Sequence, residues 1–271
     1  MIFDNDYNKL STDWLLQTVT LAIRWWVDEK GETDYWRQPL VGVAAADDPL
    51  FLQLKQVVDP DHAMPEDLLP SAKSVIAFFL PFKRELGREN NGFGELASES
   101  WADCYVSTNS LIAEISTRIQ EQLRAWGYRC ELTPATHNFE PEKLISLWSH
   151  RHIAYIAGLG KFGQNNLLIT DSGCCGRFGS LTSDIPLPPT QRSEGEFCLT
   201  RAGEECMKCV AKCKYGALFE DHFDRFACFA QLMKNDAHYK EYPLTDVCGK
   251  CACELPCSYA NPMRKRKAKN A

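Results

Sequence analysis

At 271 residues, 45% of them hydrophobic and 24% charged, the chain is long enough for a full-sized core and a smaller module. A net charge of −6 argues against broad nucleic-acid binding, and no apolar run approaches the ~20 residues of a membrane span. Met1-Ile2-Phe3-Asp4-Asn5-Asp6 lacks the basic-then-apolar order of a signal peptide, so a cytoplasmic location is expected, and there an odd count of 13 cysteines favours ligation over disulfides.

In chain order, Ser11 or Thr12 is placed to cap a helix with the apolar stripe Leu16, Val19, Ile23 and Trp26. Pro39 to Ala46 predicts a short strand ended by Asp47-Asp48-Pro49, and Ser74 to Leu80 a buried strand stopped by Pro81. Residues 84–100, polar and Gly-rich, predict a loop over a site mouth. Leu111, Ile112, Ile115, Ile119 and Leu123 mark an amphipathic helix with Gly127 at its C′ position. Tyr128–Leu132 predicts a strand, Pro141–Ala157 a helix, and Asn166–Thr170 and Phe178–Thr182 two further strands. Pro186-Leu187-Pro188-Pro189 reads as a linker, after which cysteine replaces apolar periodicity as the organiser. Residues 1–190 are therefore expected to form an α/β layered domain and 191–271 a metal-organised one. Its basic tail, Arg264-Lys265-Arg266-Lys267-Ala268-Lys269, reads as a solvated end.

Nine cysteines lie from residue 198 onward: Cys198, Cys206-x2-Cys209-x3-Cys213, Cys228, and Cys248-x2-Cys251-x-Cys253-x3-Cys257. A Cys-x2-Cys turn aims two thiolates at one point, and in two-cluster ferredoxins the fourth cysteine of each run ligates the other cluster. Crossed in that way, one set is Cys198, Cys206, Cys209 and Cys257, and the other is Cys213, Cys228, Cys248 and Cys251. This predicts a ferredoxin-like domain with two [4Fe-4S] clusters. Cys253 is left over, and spacing alone also allows it to displace Cys248 or Cys251. Zinc ribbons are the competing reading of the same cysteines. Cys174-Cys175 reads as small buried residues in a turn, or as a redox-active pair; Cys104 and Cys130 read as packing.

Gly158-x-Gly160-x-x-Gly163 has the spacing of a dinucleotide fingerprint in the wrong context, following a predicted helix and opening a strand. Its glycines permit positive φ and close approach of a flat group. Just before it, His152 and Tyr155 are candidate proton donors or cofactor contacts. His150 and His152 do not share a helix face, so a two-histidine metal site is not expected.

Taken together, Ala157-Gly158-Leu159-Gly160-x-x-Gly163-x-Asn165-x-Leu167-Leu168-Ile169, the segment Gly179 to Leu187, Leu69-Pro70-x-Ala72-Lys73-Ser74-Val75-Ile76 and the cysteine array resemble the epoxyqueuosine reductase family over about residues 40–260. The resemblance implies a nitroreductase-like three-layer α/β domain holding a cobalamin, related to that of reductive dehalogenases. It implies Gly158, Gly160, Gly163 and Asn165 as cofactor-binding residues, and transfer RNA as substrate. The family's proton-donating aspartate, in an Asp-Ser/Thr-Gly/Ala-Pro segment, has no match in Glu131 to Asn138; Glu131 and His137 are the candidates to replace it. The expected activity is a reductase fed by a ferredoxin or flavodoxin. The alternative is a non-catalytic electron carrier that reduces a partner such as a corrinoid protein.

Overall fold

A computed structural model of the chain describes residues 11–134 and 139–267. In order its elements are α1 (Thr12–Asp28), β1 (Leu40–Ala45), α2 (Leu50–Val57), α3 (Pro65–Leu68), β2 (Ser74–Pro81), α4 (Arg84–Gly92), α5 (Glu99–Ala125) and β3 (Cys130–Leu132). They continue with β4 (Phe139–Glu140), β5 (Ile145–Ser146), α6 (His150–Ile156), β6 (Gly160–Phe162), β7 (Leu168–Thr170), β8 (Gly176–Ser183), α7 (Lys208–Lys212), α8 (Arg225–His238) and α9 (Pro262–Lys267).

A four-stranded antiparallel sheet, ordered β1-β2-β8-β3, organises the fold. All eight residues of β2 are buried, and its side chains alternate between two cores as strand geometry requires. Ile76, Phe78 and Leu80 pack with Leu15 and Val19 of α1 and with Leu111, Ile115 and Ile119 of α5. Val75, Ala77 and Phe79 pack with Phe51 and Leu54 of α2 and Ile153 of α6. The protein is thus a mixed α/β fold with helices on both faces of its main sheet. Each large side chain so buried contributes about 1.5–3 kcal/mol.

The expected strands 39–46 and 74–80 and the helix through Leu111 to Leu123 are present, and Gly127, at φ +85°, follows the end of α5. Three expectations are corrected. Residues 84–100 are not a loop: α4 and the start of α5 occupy them. There Asn90 is fully buried, donating through Nδ2 to the Cys248 carbonyl (2.9 Å) and accepting from the Ser98 amide (3.0 Å). These tertiary bonds override the polar, Gly-rich local pattern. The helix expected over 141–157 is confined to α6, because Leu144 turns at φ +53° to join the short β4–β5 hairpin. The strand expected from Asn166 begins at Leu168, Asn166 being in a left-handed turn at φ +56°.

The proline-rich stretch after β8 runs along the sheet: Thr190 donates its amide to the Val43 carbonyl (2.8 Å) and accepts from the Val43 amide at Oγ1 (3.0 Å). Beyond it, Phe197, Cys198, Tyr239, Val247, Ala252 and Cys253 join the same buried cluster as α1 and α5. The cysteine-rich segment is therefore fastened to the layered core rather than hung from it.

Candidate functional site

Cys198, Cys206, Cys209 and Cys257 line one narrow gap, together with Asn165. Burial pushes the Cys209 thiol up to about 11, and the sulfurs of Cys257, Cys198 and Cys206 push in the same direction. Cys251 is raised by burial and then by Cys248, Cys228, Cys213 and, from the first group, Cys209. Burial, Cys248 and Cys213 raise Cys228 to about 11. Cys198, Cys206, Cys209 and Cys257 thus neighbour one another, as do Cys213, Cys228, Cys248 and Cys251, with Cys209 also close enough to act on Cys251. Thiolates gathered in this way repel one another, and a metal centre among them reverses that penalty. Among the described residues no three His, Cys, Asp or Glu side chains converge tightly enough for a single ion.

Cys253 stands apart from both groups. Fully buried, it lies beside Cys175, which lowers it, and accepts from Asn90 Nδ2 at 3.5 Å, while the Cys175 thiol donates to the Ala252 carbonyl at 3.0 Å. Cys174 lowers Cys257, a member of the first group, by donating to it, and also lines the large cavity described below. The turn carrying both cysteines is docked by its backbone: the Cys174 amide donates to the Cys257 carbonyl (2.9 Å) and the Cys175 amide to that of Ser258 (3.0 Å). The adjacent cysteines in the sequence mark this contact, but only the fold shows what they touch.

The glycine segment follows α6 and opens β6, so the helix-to-strand context holds. Gly158 has φ +78°, and a Cβ on Gly160 would lie 2.1 Å from the Ile169 carbonyl oxygen. A Cβ on Gly163 would lie 2.8 Å from Asn165 Oδ1. These close approaches are to the chain itself, and none of the three glycines lines the large cavity; Asn166, Leu167 and Leu168 do. Asn165 faces the cysteines, donating to the Cys251 carbonyl at 2.8 Å.

A cavity of about 990 Å³ opens beside α6, at the upper end of the range for ligand pockets. Trp148, Tyr155, Phe162 and Phe178 give it flat apolar walls, and Cys228 brings the second cysteine group to its surface. His152 and Tyr155, both expected site residues, line it. His152 shares a 2.7 Å hydrogen bond through Nδ1 with Ser149 Oγ, and burial, reinforced by Arg151, lowers it to about 4, so it is neutral at pH 7. His150 also lines the cavity but is engaged at both nitrogens, to Ser180 Oγ (2.7 Å) and the Pro134 carbonyl (2.8 Å). Burial lowers it to about 4 as well. His137 lies outside the described residues, and Glu131 lies on β3, away from the cavity lining.

The sequence did not single out Tyr105 and Asp246, which both line the cavity, with the Tyr105 hydroxyl donating to Asp246 Oδ1. Tyr105 was hidden in the apolar stripe of α5, and Asp246 has no motif around it.

No family model matches the chain. In sequence it is 27% identical to the epoxyqueuosine reductase of Salmonella typhimurium over 176 residues, covering 63% of this chain and 42% of that protein. It is 28% identical to the Escherichia coli epoxyqueuosine reductase, covering 63% and 43%. The chain thus spans less than half the length of these curated relatives. In fold it is similar to an epoxyqueuosine reductase solved with an epoxyqueuosine-modified tRNA stem loop, with TM-score 0.55 and 16% identity over 93% of this chain and 69% of that one. For the Bacillus subtilis enzyme, solved with its catalytic aspartate loop swung out of the active site, the TM-score is 0.53 and the identity 17%, over 91% and 67%. A catabolic reductive dehalogenase in complex with 3-bromo-4-hydroxybenzoic acid gives TM-score 0.57 and 16% identity over 85% and 31%. The chain is related in sequence to epoxyqueuosine reductases and shares its fold with them and with reductive dehalogenases.

Proposed function

We propose that this protein is a reductase of the epoxyqueuosine reductase type, with residues 1–190 as its nitroreductase-like cofactor and substrate domain and 191–271 as its two-cluster domain. Cys198, Cys206, Cys209 and Cys257 hold one [4Fe-4S] cluster, and Cys213, Cys228, Cys248 and Cys251 hold the other. Electrons from a ferredoxin or flavodoxin enter at the first and pass to the second. The observation that carries this reading is Cys228: it belongs to the second cysteine group and also forms part of the cavity wall. The path from cysteines to cavity therefore needs no further relay.

A cavity of about 990 Å³ with aromatic walls fits a large flat group such as cobalamin, which supplies a low-potential metal centre when bound. Around it, Trp148 and Phe178 exclude water, Asn166 to Leu168 form the wall beside the glycine turn, and Asn165 fixes that turn to the cysteine segment through the Cys251 carbonyl. The Tyr155 hydroxyl is the group placed to hand a proton to a substrate, and His152, neutral and with Nδ1 engaged by Ser149, is placed to hydrogen-bond it. Transfer RNA in a cytoplasmic setting is the substrate the relatives point to. The test is expression with cobalamin supplied, followed by anaerobic purification and a visible spectrum: about one corrinoid retained per chain supports the enzyme. The missing aspartate over 131–138 favours the second reading, a carrier that reduces a corrinoid protein. That reading predicts both clusters, no retained corrinoid, and turnover only with the partner present.

A further inference from the structure

The large cavity carries a charge opposite to that of the chain. Its described wall holds four arginines, Arg151, Arg177, Arg201 and Arg225, against one carboxylate, Asp246, and no lysine or glutamate. The chain as a whole carries −6. One of the four is accounted for: the Arg177 guanidinium lies 4.2 Å from the centre of the Tyr105 ring, whose hydroxyl donates to Asp246. Of the other three, Arg151 has the Cys228 and Cys251 sulfurs beside it, which favour its charge. Arg151 Nη1 donates to the Asn166 carbonyl at 2.6 Å, and Arg225 Nη1 reaches the Lys143 carbonyl at 3.5 Å. Among the described residues, neither these two nor Arg201 pairs with a carboxylate.

A neutral carbonyl satisfies an N–H but leaves the charge uncompensated. Arg201 and Arg225, with Arg151 beyond what the sulfurs offset, place positive charge around one cavity, and the cleft concentrates that potential where a ligand would lie. A guanidinium fork matches the paired oxygens of a carboxylate or phosphate. Phe223 and Phe229, which flank Arg225 in the sequence and also line the cavity, offer flat faces beside that charge.

We infer that this wall is an anion subsite, in which Arg151, Arg201 and Arg225 take the carboxylate or phosphate of a small organic ligand. The inference deepens the reading of the cavity as the place where electrons are delivered. Inside the cavity a small anion is favoured over the backbone of a polyanion because the chain as a whole carries −6. The anion comes from one of two sources, a free substrate or the phosphodiester of a bound cobalamin, which cobinamide lacks.

The test uses the anaerobically purified holoprotein and its Arg151→Gln, Arg201→Gln and Arg225→Gln variants. Arg201 and Arg225 are exposed, so at least their variants are expected to fold. Benzoate and inorganic phosphate are titrated calorimetrically, cobalamin and cobinamide by visible spectra. Saturable binding of benzoate or phosphate that weakens about tenfold or more in the variants supports a substrate anion. Cobalamin binding about tenfold tighter than cobinamide, with the difference erased in the variants, supports the cofactor's phosphodiester. Affinities unchanged in every variant overturn the inference, as does arginine-dependent binding of an RNA stem loop alone. Iron content is measured on each sample: a wild-type protein without iron counts against the cluster reading, whereas an iron-replete protein indifferent to these arginines counts against the subsite.

Discussion

The His150 ring is held at both nitrogens. The Trp148 indole N–H donates to Ser180 Oγ at 3.0 Å, Ser180 donates to Nδ1, and Nε2–H donates to the Pro134 carbonyl, so one neutral tautomer is fixed. Burial lowers its folded pKa to about 4, against 6.5 for an unburied ring. Between those values the unfolded chain binds the extra proton, so the stabilisation is complete above pH 6.5 and is lost as pH falls through 4. It amounts to about 3 kcal/mol. Anaerobic urea unfolding at stepped pH values should show that loss between pH 6.5 and 4, and His150→Asn should flatten the curve; equal slopes in both proteins would contradict it. Cys174 allows a second prediction at this scale. Its thiol donates to Cys257, and hydrogen bonds to cluster sulfurs help set the potential. Cys174→Ala should therefore lower the midpoint of one of two reduction steps in a redox titration and leave the other in place. An unchanged midpoint would separate Cys174 from the first cluster.

Among the elements, the β6–β7 hairpin depends on close backbone approach. A Cβ at Gly160 would sit 2.1 Å from the Ile169 carbonyl oxygen, on the strand paired with β6. Gly160→Ala should cost about 3 kcal/mol and move the chemical midpoint accordingly, an overpacking penalty with no flexible side chain to absorb it. A near-neutral effect would show that the hairpin can separate. Elements with a strong local signal are readable in the chain itself: the apolar run of β2 after Ser74, the stripe of α5, and the helix-to-strand context that argues against a dinucleotide fingerprint. The elements that were misread take their shape from distant partners. The α4 segment looks like a polar loop until Asn90 meets Cys248 and Ser98, and the hairpin before α6 looks helical until Leu144 takes a left-handed φ. The site divided in the same way. Cysteine spacing suggests two ligand groups from the chain alone, while Tyr105, Asp246 and the arginines of the cavity come together only through folding and carry no local motif.

Across the whole molecule, the layered core and the cysteine-rich segment share one buried cluster, and the second cysteine group opens onto the aromatic cavity. Cys253 packs beside Cys175 and Asn90, and the proposed ligand sets leave it out. The measurement that tests the account most directly is iron and acid-labile sulfide content, with electron paramagnetic resonance after reduction, on anaerobically purified wild-type, Cys228→Ser and Cys253→Ser proteins. About eight irons and eight sulfides are expected in the wild type and in Cys253→Ser, about half of each in Cys228→Ser, with signals of reduced [4Fe-4S] clusters. Stoichiometric zinc with no iron, or a loss of iron in Cys253→Ser equal to that in Cys228→Ser, would contradict it.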